Sequence, residues 1–169
     1  METVYNFING KQVPSRGTKA HPIYNPATGE QIRQVIMSTP DDVNEAVEVA
    51  HKAFADWSAT SPLRRARIMF KFKELLERDW DSLARLIVEE HGKVYSDACG
   101  ELTRGLEVVE FSCGIPHLLK GEFSEQAGRG IDIHSSLQPL GVTVGITPFN
   151  FPAMVPMWMF PIALACGNT

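Results

Sequence analysis

The chain has 169 residues, 44% of them apolar and 21% charged, and its 16 basic against 20 acidic side chains leave a net charge of -4. These values exclude disorder, a collagen-like repeat and the basic footprint that nucleic-acid binding needs. Three scattered cysteines, Cys99, Cys113 and Cys166, are too few for a disulfide framework or a zinc site. Reduced thiols fit a cytosolic compartment. Met1–Val4 carries neither a basic n-region nor an apolar h-region, so the expectation is a cytoplasmic protein. The length corresponds to about one domain.

Residues 1–37 read as short strands and turns. Tyr5–Gly10 predicts a strand ending in an Asn-Gly hairpin turn. Tyr24–Gly29 is a second turn, and Gln31–Met37 predicts another strand. Thr39-Pro40-Asp41-Asp42 then starts a helix with a capping Thr, Pro at the first helical position and acids in the first turn. Val43, Ala46, Val47, Ala50, Phe54 and Trp57 share its apolar face. Ser61-Pro62 opens a second helix. Its apolar face is Leu63, Ile68, Phe72, Leu75 and Leu76, with Arg and Lys facing water. A third runs from about Asp81 to His91, stopped by Gly92. Ser96 caps a fourth that reaches about Pro116, with the stripe Ala98, Leu102, Leu106, Val109 and Cys113.

Composition shifts near residue 140. From Ser135 to Thr169, 35 residues pass without Asp, Glu, Lys, Arg or His. Residues 121–140 are polar and strand-like. Gly141–Thr147 is a short β-branched run of the kind covered on both faces of a sheet. Phe151–Cys166 follows as a buried helix. Four prolines and an Asn between Gly141 and Gly167 argue against a membrane span. A strand followed by a helix is a βα unit, and a parallel sheet needs more than one strand. The chain therefore reads as continuing beyond Thr169.

The turn Thr147-Pro148-Phe149-Asn150-Phe151-Pro152 joins the carboxyl end of that strand to the helix, the edge where open α/β sheets bind ligands. Asn150 admits two readings. Its amide can stabilise the oxyanion of a tetrahedral intermediate, or it can cap the helix begun by Pro152. No Gly-x-Gly-x-x-Gly or P-loop cradle for phosphate occurs. Arg104 lies off the apolar stripe of the fourth helix. It can bind a carboxylate through a bidentate fork or pair with Glu101 or Glu107 on its own helix. The three thiols, His91 and His117 read as packing or surface groups, and Trp57 and Trp80 as core or subunit contacts.

Taken together, these motifs resemble the aldehyde dehydrogenase superfamily. The resemblance rests on Pro139–Val142 and Gly145–Pro152, on Phe7–Lys11 and Asn25–Glu30, and on Glu89-Glu90-His91-Gly92-Lys93 and Gly100-Glu101. The run Phe149–Pro161 is similar to the CoA-acylating methylmalonate-semialdehyde (malonate-semialdehyde) branch. The resemblance implies an α/β fold, the N-terminal part of an aldehyde dehydrogenase. Residues 1–120 would be strands and helices packing on the cofactor domain. Residues 121–140 would be β-strands of an oligomerisation arm, and 141–169 the first strand-helix unit of the NAD-binding domain, cut short.

The resemblance also implies a reaction. A Cys thiolate attacks an aldehyde, hydride passes to NAD, and the acyl group passes to coenzyme A with loss of the neighbouring carboxylate as carbon dioxide. By this carry-over Asn150 is the oxyanion donor. Thr147, Pro148 and Phe149 line the nicotinamide side of the cofactor site, and Arg104 binds the substrate carboxylate. Relatives often carry a smaller residue at the Thr147 position. The family's nucleophilic Cys and catalytic Glu match no residue of this sequence, so these 169 residues alone are expected to be inactive. The resemblance implies a homo-oligomer, with no nucleic acid or membrane partner. The alternative is a non-catalytic oligomerisation or interaction module.

Overall fold

The computed structural model describes residues 2–169. Its N-terminal third is β-rich. β1 (Glu2–Val4) runs parallel to β5 (Gln31–Ile36), and β4 (Ala20–Tyr24) pairs antiparallel on the other side of β5, giving the order β1-β5-β4. β2 (Asn6–Ile8) and β3 (Lys11–Val13) form a separate hairpin. Its Asn9-Gly10 turn holds both residues at positive φ, 54° and 73°, the conformation an Asn-Gly hairpin demands.

Five α-helices follow among the described residues. α1 (Pro40–Ala59) opens with the capping Thr that its sequence predicts, and Thr39 and Asp42 bond each other's backbone in a capping box. α2 (Pro62–Arg78) and α3 (Trp80–His91) follow, and Gly92 ends α3 at φ 80°. α4 (Tyr95–Cys113) starts after Val94, without a bond from the side chain of Ser96, and runs into a 3-10 turn at Ile115–His117. α5 (Met154–Ala165) closes the chain.

The main core lies between α2, α3, α4 and α5. Ala84, Ile87, Ala98, Leu102, Val109 and Met157 are buried together, with Phe72, Leu76, Trp80 and Leu83 packed against them. A second cluster joins Met69, Cys113, Ile115 and Ala165. Gly105 lets α4 and α5 approach closely, since a Cβ there would meet Met157 Cε at 2.2 Å. Arg33 on β5 ties the small sheet to α3 through Glu89 and Glu90, and bonds Glu2 on β1.

The structure corrects three expectations. On α2, Leu63 and Ile68 are exposed, while Arg65 is buried with Ala66 and Met69. The inner face is therefore turned relative to the expected stripe, because Arg65 is drawn to backbone carbonyls at the helix ends. Val43 and Val47 of α1 are also exposed, lining an open cleft beside residues 142–145. The helix is held by Trp57 Nε1 to the Leu164 carbonyl (3.0 Å), Thr169 Oγ1 to the Ala50 carbonyl (2.9 Å) and the Asp42 contacts.

The third correction concerns the 141–147 run. It is extended but unpaired and uncovered, with Val144 80% and Ile146 88% exposed. Its backbone bonds to Asn168 and Thr169, with Asn168 Oδ1 accepting from Gly141 N at 3.2 Å. Thr143 N donates to the Thr169 carbonyl at 2.7 Å, and Thr169 N donates to the Gly141 carbonyl at 3.1 Å. One residue bonded to the residues on either side of Val142 is the first rung of a parallel ladder. An extended run is thus followed by α5, with one rung instead of the expected strand pair.

Within 121–140, β6 (Phe123–Gly128) and β7 (Ile131–His134) form an antiparallel hairpin, with Phe123, Ile131 and Ile133 exposed. Among the described residues no helix is long and apolar enough to cross a membrane.

Candidate active site

The turn after the extended run is held from α4. Glu101 sits on the buried face of α4, in phase with Ala98, Leu102 and Gly105, and its side chain is fully buried. One carboxylate oxygen accepts from the backbone amides of Ala153 and Met154, at 2.7 and 3.0 Å. These amides open α5, so Glu101 caps the helix from a neighbouring element and lies at its positive end. The other oxygen accepts from Lys93 Nζ at 2.5 Å. Burial pushes the Glu101 carboxyl up, but Lys93 and the two amides outweigh it, and its pKa falls below the usual value.

Lys93 also donates to the Asn150 carbonyl oxygen at 3.1 Å and stands 4.5 Å from the centre of the Phe151 ring. On the same ring, the Arg104 guanidinium lies 5.6 Å from the centre. Asn150, Phe151, Lys93, Glu101 and Arg104 therefore form one cluster. Thr147 is half-buried on the approach to it, whereas Pro148, Phe149 and Asn150 are exposed, Phe149 at 92%.

Two simpler readings of these residues fall. Asn150 does not cap α5: the helix begins at Met154, and Glu101 takes the capping role. Nor does Arg104 pair with Glu101 or Glu107. Glu101 belongs to Lys93, and Arg104 makes no ion pair among the described residues. Its guanidinium stays exposed beside the loop that carries Asn150.

Behind the loop, a cleft of about 620 Å³ lies between Tyr24, Leu86, His91, Phe149 and Asn150. The Nδ1 of His91 is buried there without a hydrogen-bond partner among the described residues.

Cys113 and Cys166 are not set up as nucleophiles. Burial pushes the Cys113 and Cys166 thiols up, the opposite of activation. Among the described residues no three His, Cys, Asp or Glu side chains gather as a metal site.

Lys93 and Glu101 stand in the motifs quoted from the sequence, but their role was missed. An acid in phase with the apolar stripe of its helix is the signal that could have found it, because such a carboxylate must have a partner. The arrangement also bears on a dinucleotide. An α-helix N-terminus is the usual phosphate receptor of a first βα turn, and here a carboxylate fills it. The amides of Ala153 and Met154 are thereby committed to Glu101 and are not free to receive a phosphate.

A βα unit whose entrance loop is clamped from a neighbouring helix is how this chain departs from a dinucleotide fold with a glycine cradle. The chain belongs to the aldehyde dehydrogenase family, whose family model matches residues 13–169. Within that family it is 48% identical over 169 residues to malonate-semialdehyde dehydrogenase of Pseudomonas aeruginosa. It is 52% identical over 168 residues to malonate-semialdehyde dehydrogenase 2 of Bacillus anthracis. These matches take in 100% and 99% of the chain, and 34% of each relative.

The crystal structure of methylmalonate-semialdehyde dehydrogenase from Oceanimonas doudoroffii matches 99% of the chain with a TM-score of 0.96 and 54% identity. A Sinorhizobium meliloti protein solved in complex with NAD matches all of it, with a TM-score of 0.97 and 50% identity. The chain spans about a third of the length of these relatives, 34% in both structures. The fold is that of an aldehyde dehydrogenase, α/β as expected.

Proposed function

We propose that this chain serves the NAD-dependent oxidation of malonate or methylmalonate semialdehyde to an acyl-CoA, with loss of carbon dioxide. The observation that carries the reading is the unpaired guanidinium of Arg104, held over Phe151 beside the Asn150 loop. A semialdehyde of this class presents an aldehyde and a carboxylate a short distance apart. Arg104 receives the carboxylate. Asn150 donates from its amide to the aldehyde oxygen as that oxygen gains charge. Thr147, Pro148 and Phe149 contact the nicotinamide side of the cofactor. NAD, when bound, accepts the hydride, and coenzyme A is the acyl acceptor. Names of relatives at 48% and 52% identity support the substrate class.

The nucleophilic Cys and catalytic Glu of the family match none of these residues, so the 169 residues by themselves should form no NADH. The reaction belongs to the whole protein, which we place in the cytoplasm as a homo-oligomer. Residues 1–120 would pack on its cofactor domain, and 141–169 would begin that domain. The exposed apolar side chains of the 121–140 hairpin favour a subunit contact there.

The test is to express the protein as its own gene encodes it and supply malonate semialdehyde, NAD and coenzyme A. The expected result is equal formation of NADH and of the acyl-CoA one carbon shorter. NADH without acyl-CoA would overturn the CoA-acylating reading, and no NADH would overturn the whole.

A further inference from the structure

We propose that Lys93 and Glu101 are positioning residues for Asn150, fixing the loop from which its amide donates. This rests on the reading of Asn150 as the oxyanion donor. Three observations carry it.

First, the pair is costly where it stands. The Lys93 side chain is 10% exposed and that of Glu101 0%. A buried ion pair seldom stabilises more than apolar residues of the same size, so its value must lie elsewhere.

Second, its bonds end on the loop. Glu101 holds the amides of Ala153 and Met154, three and four residues after Asn150, and Lys93 holds the carbonyl oxygen of Asn150 itself. The loop is gripped on both sides of Phe151, whose ring lies under the Lys93 ammonium.

Third, among the described residues little else restrains that segment. Pro148, Phe149 and Asn150 are exposed, and the run before them is unpaired beyond Thr143. Without the clamp, the Asn150 amide would sample a wider volume. A catalytic group displaced by about 1 Å can cost on the order of a hundredfold in rate.

The clamp also links the loop to Arg104. The Lys93 ammonium and the Arg104 guanidinium both lie over the Phe151 ring, next to Asn150, so the carboxylate receiver and the oxyanion donor's loop share one side chain. Lys93 gives Glu101 a partner that cannot be lost without leaving a buried charge. Lys93→Met and Glu101→Gln therefore act on the same device from opposite ends.

The experiment compares Lys93→Met, Glu101→Gln and the double variant in the protein as its own gene encodes it. Lys73→Met, which breaks a distant pair with Glu77 and Glu110, is the control. Two quantities are read: steady-state kinetics with malonate semialdehyde, and amide hydrogen exchange over residues 148–155. Expected are a fall in kcat of about tenfold to a hundredfold, a KM for NAD within about twofold of wild type, and faster exchange confined to residues 148–155. The double variant should be no worse than the poorer single variant, because the two act as a unit.

A folded Lys93→Met protein with kcat within about twofold of wild type overturns the proposal. So does a loss of activity that tracks only the fraction folded. If Glu101→Gln fails to fold, Lys93→Met decides alone, since its side chain lies nearer the surface. If the wild-type protein oxidises no semialdehyde, the proposed function falls by itself. Unchanged exchange at 148–155 in both variants would then overturn the clamp separately.

Discussion

Arg65 Nε donates to the carbonyl oxygen of Ala165 at 2.9 Å, joining residues that lie 100 apart in the chain. The same guanidinium reaches the Thr60 carbonyl through Nη1, and that of Ser58 at 3.4 Å. One cation thus satisfies the last turn of α5 and the junction between α1 and α2, where helix carbonyls lack partners of their own. It also favours the negative end of the α5 dipole. The Gly167 backbone lies against it at φ 100°, where a Cβ would come within 3.2 Å of the guanidinium carbon.

Replacing Arg65 by Met should keep the stem packing and leave those carbonyls without a donor. The expected loss is about 2–4 kcal/mol of stability. Thermal unfolding followed by circular dichroism checks it. A midpoint unchanged from wild type would show that water replaces the guanidinium without cost.

Asp42 sets a pH dependence. It accepts from the Thr39 amide at 2.7 Å, the Thr39 hydroxyl at 2.9 Å, and Ser15 and Arg16 at 3.1 Å. The Thr39 amide is the largest cause, and with Arg16, Thr39 Oγ1 and Ser15 it outweighs burial, so the pKa falls from 3.8 to about 2. A depressed carboxyl stabilises above its unfolded pKa, and that contribution disappears as pH falls through the folded value. Stability should therefore decline between about pH 4 and pH 2. Asp42→Asn should flatten that limb while lowering stability at neutral pH. Urea midpoints measured across this range in both proteins decide the point.

Gly105 is where α4 meets α5. A side chain there must displace the buried Met157, and the Met154 Cα already stands 3.4 Å from the Cβ position. Gly105→Val is expected to cost about 1–3 kcal/mol by overpacking. Gly100, with open space around it, serves as the comparison. Gly100→Ala should be neutral or slightly stabilising in the same chemical unfolding assay.

Asn150 and Arg104 should separate in the kinetics. Asn150→Ala is expected to lower kcat by about a hundredfold to a thousandfold, as loss of an oxyanion donor does. Arg104→Gln should raise KM for malonate semialdehyde and leave propanal, which lacks the carboxylate, nearly unaffected. Steady-state rates with both aldehydes check the pair. Equal losses on the two aldehydes would remove Arg104 from substrate recognition.

Much of the local structure was legible in the residues. Thr39-Pro40-Asp41-Asp42 starts α1, Asn9-Gly10 turns the hairpin and Gly92 stops α3, because capping and turn geometry depend on neighbours in sequence. The stripe from Ala98 to Cys113 announced the buried face of α4 for the same reason. The loop holding Thr147–Asn150 was also evident, through its motif.

Partners distant in sequence were not legible. Arg65 reads as a solvated helix residue until the carbonyls of α5 are brought beside it. Glu101 reads as a helix-surface acid until Lys93 and the first amides of α5 surround it. Nothing local to Gly141–Thr147 shows whether a second strand lies beside it. Sequence by itself determined the family and the helix starts, stops and turns named above, since short-range sterics and hydrogen bonding are local. Only the tertiary structure decided which charges are buried, because desolvation is offset by groups that folding alone brings together.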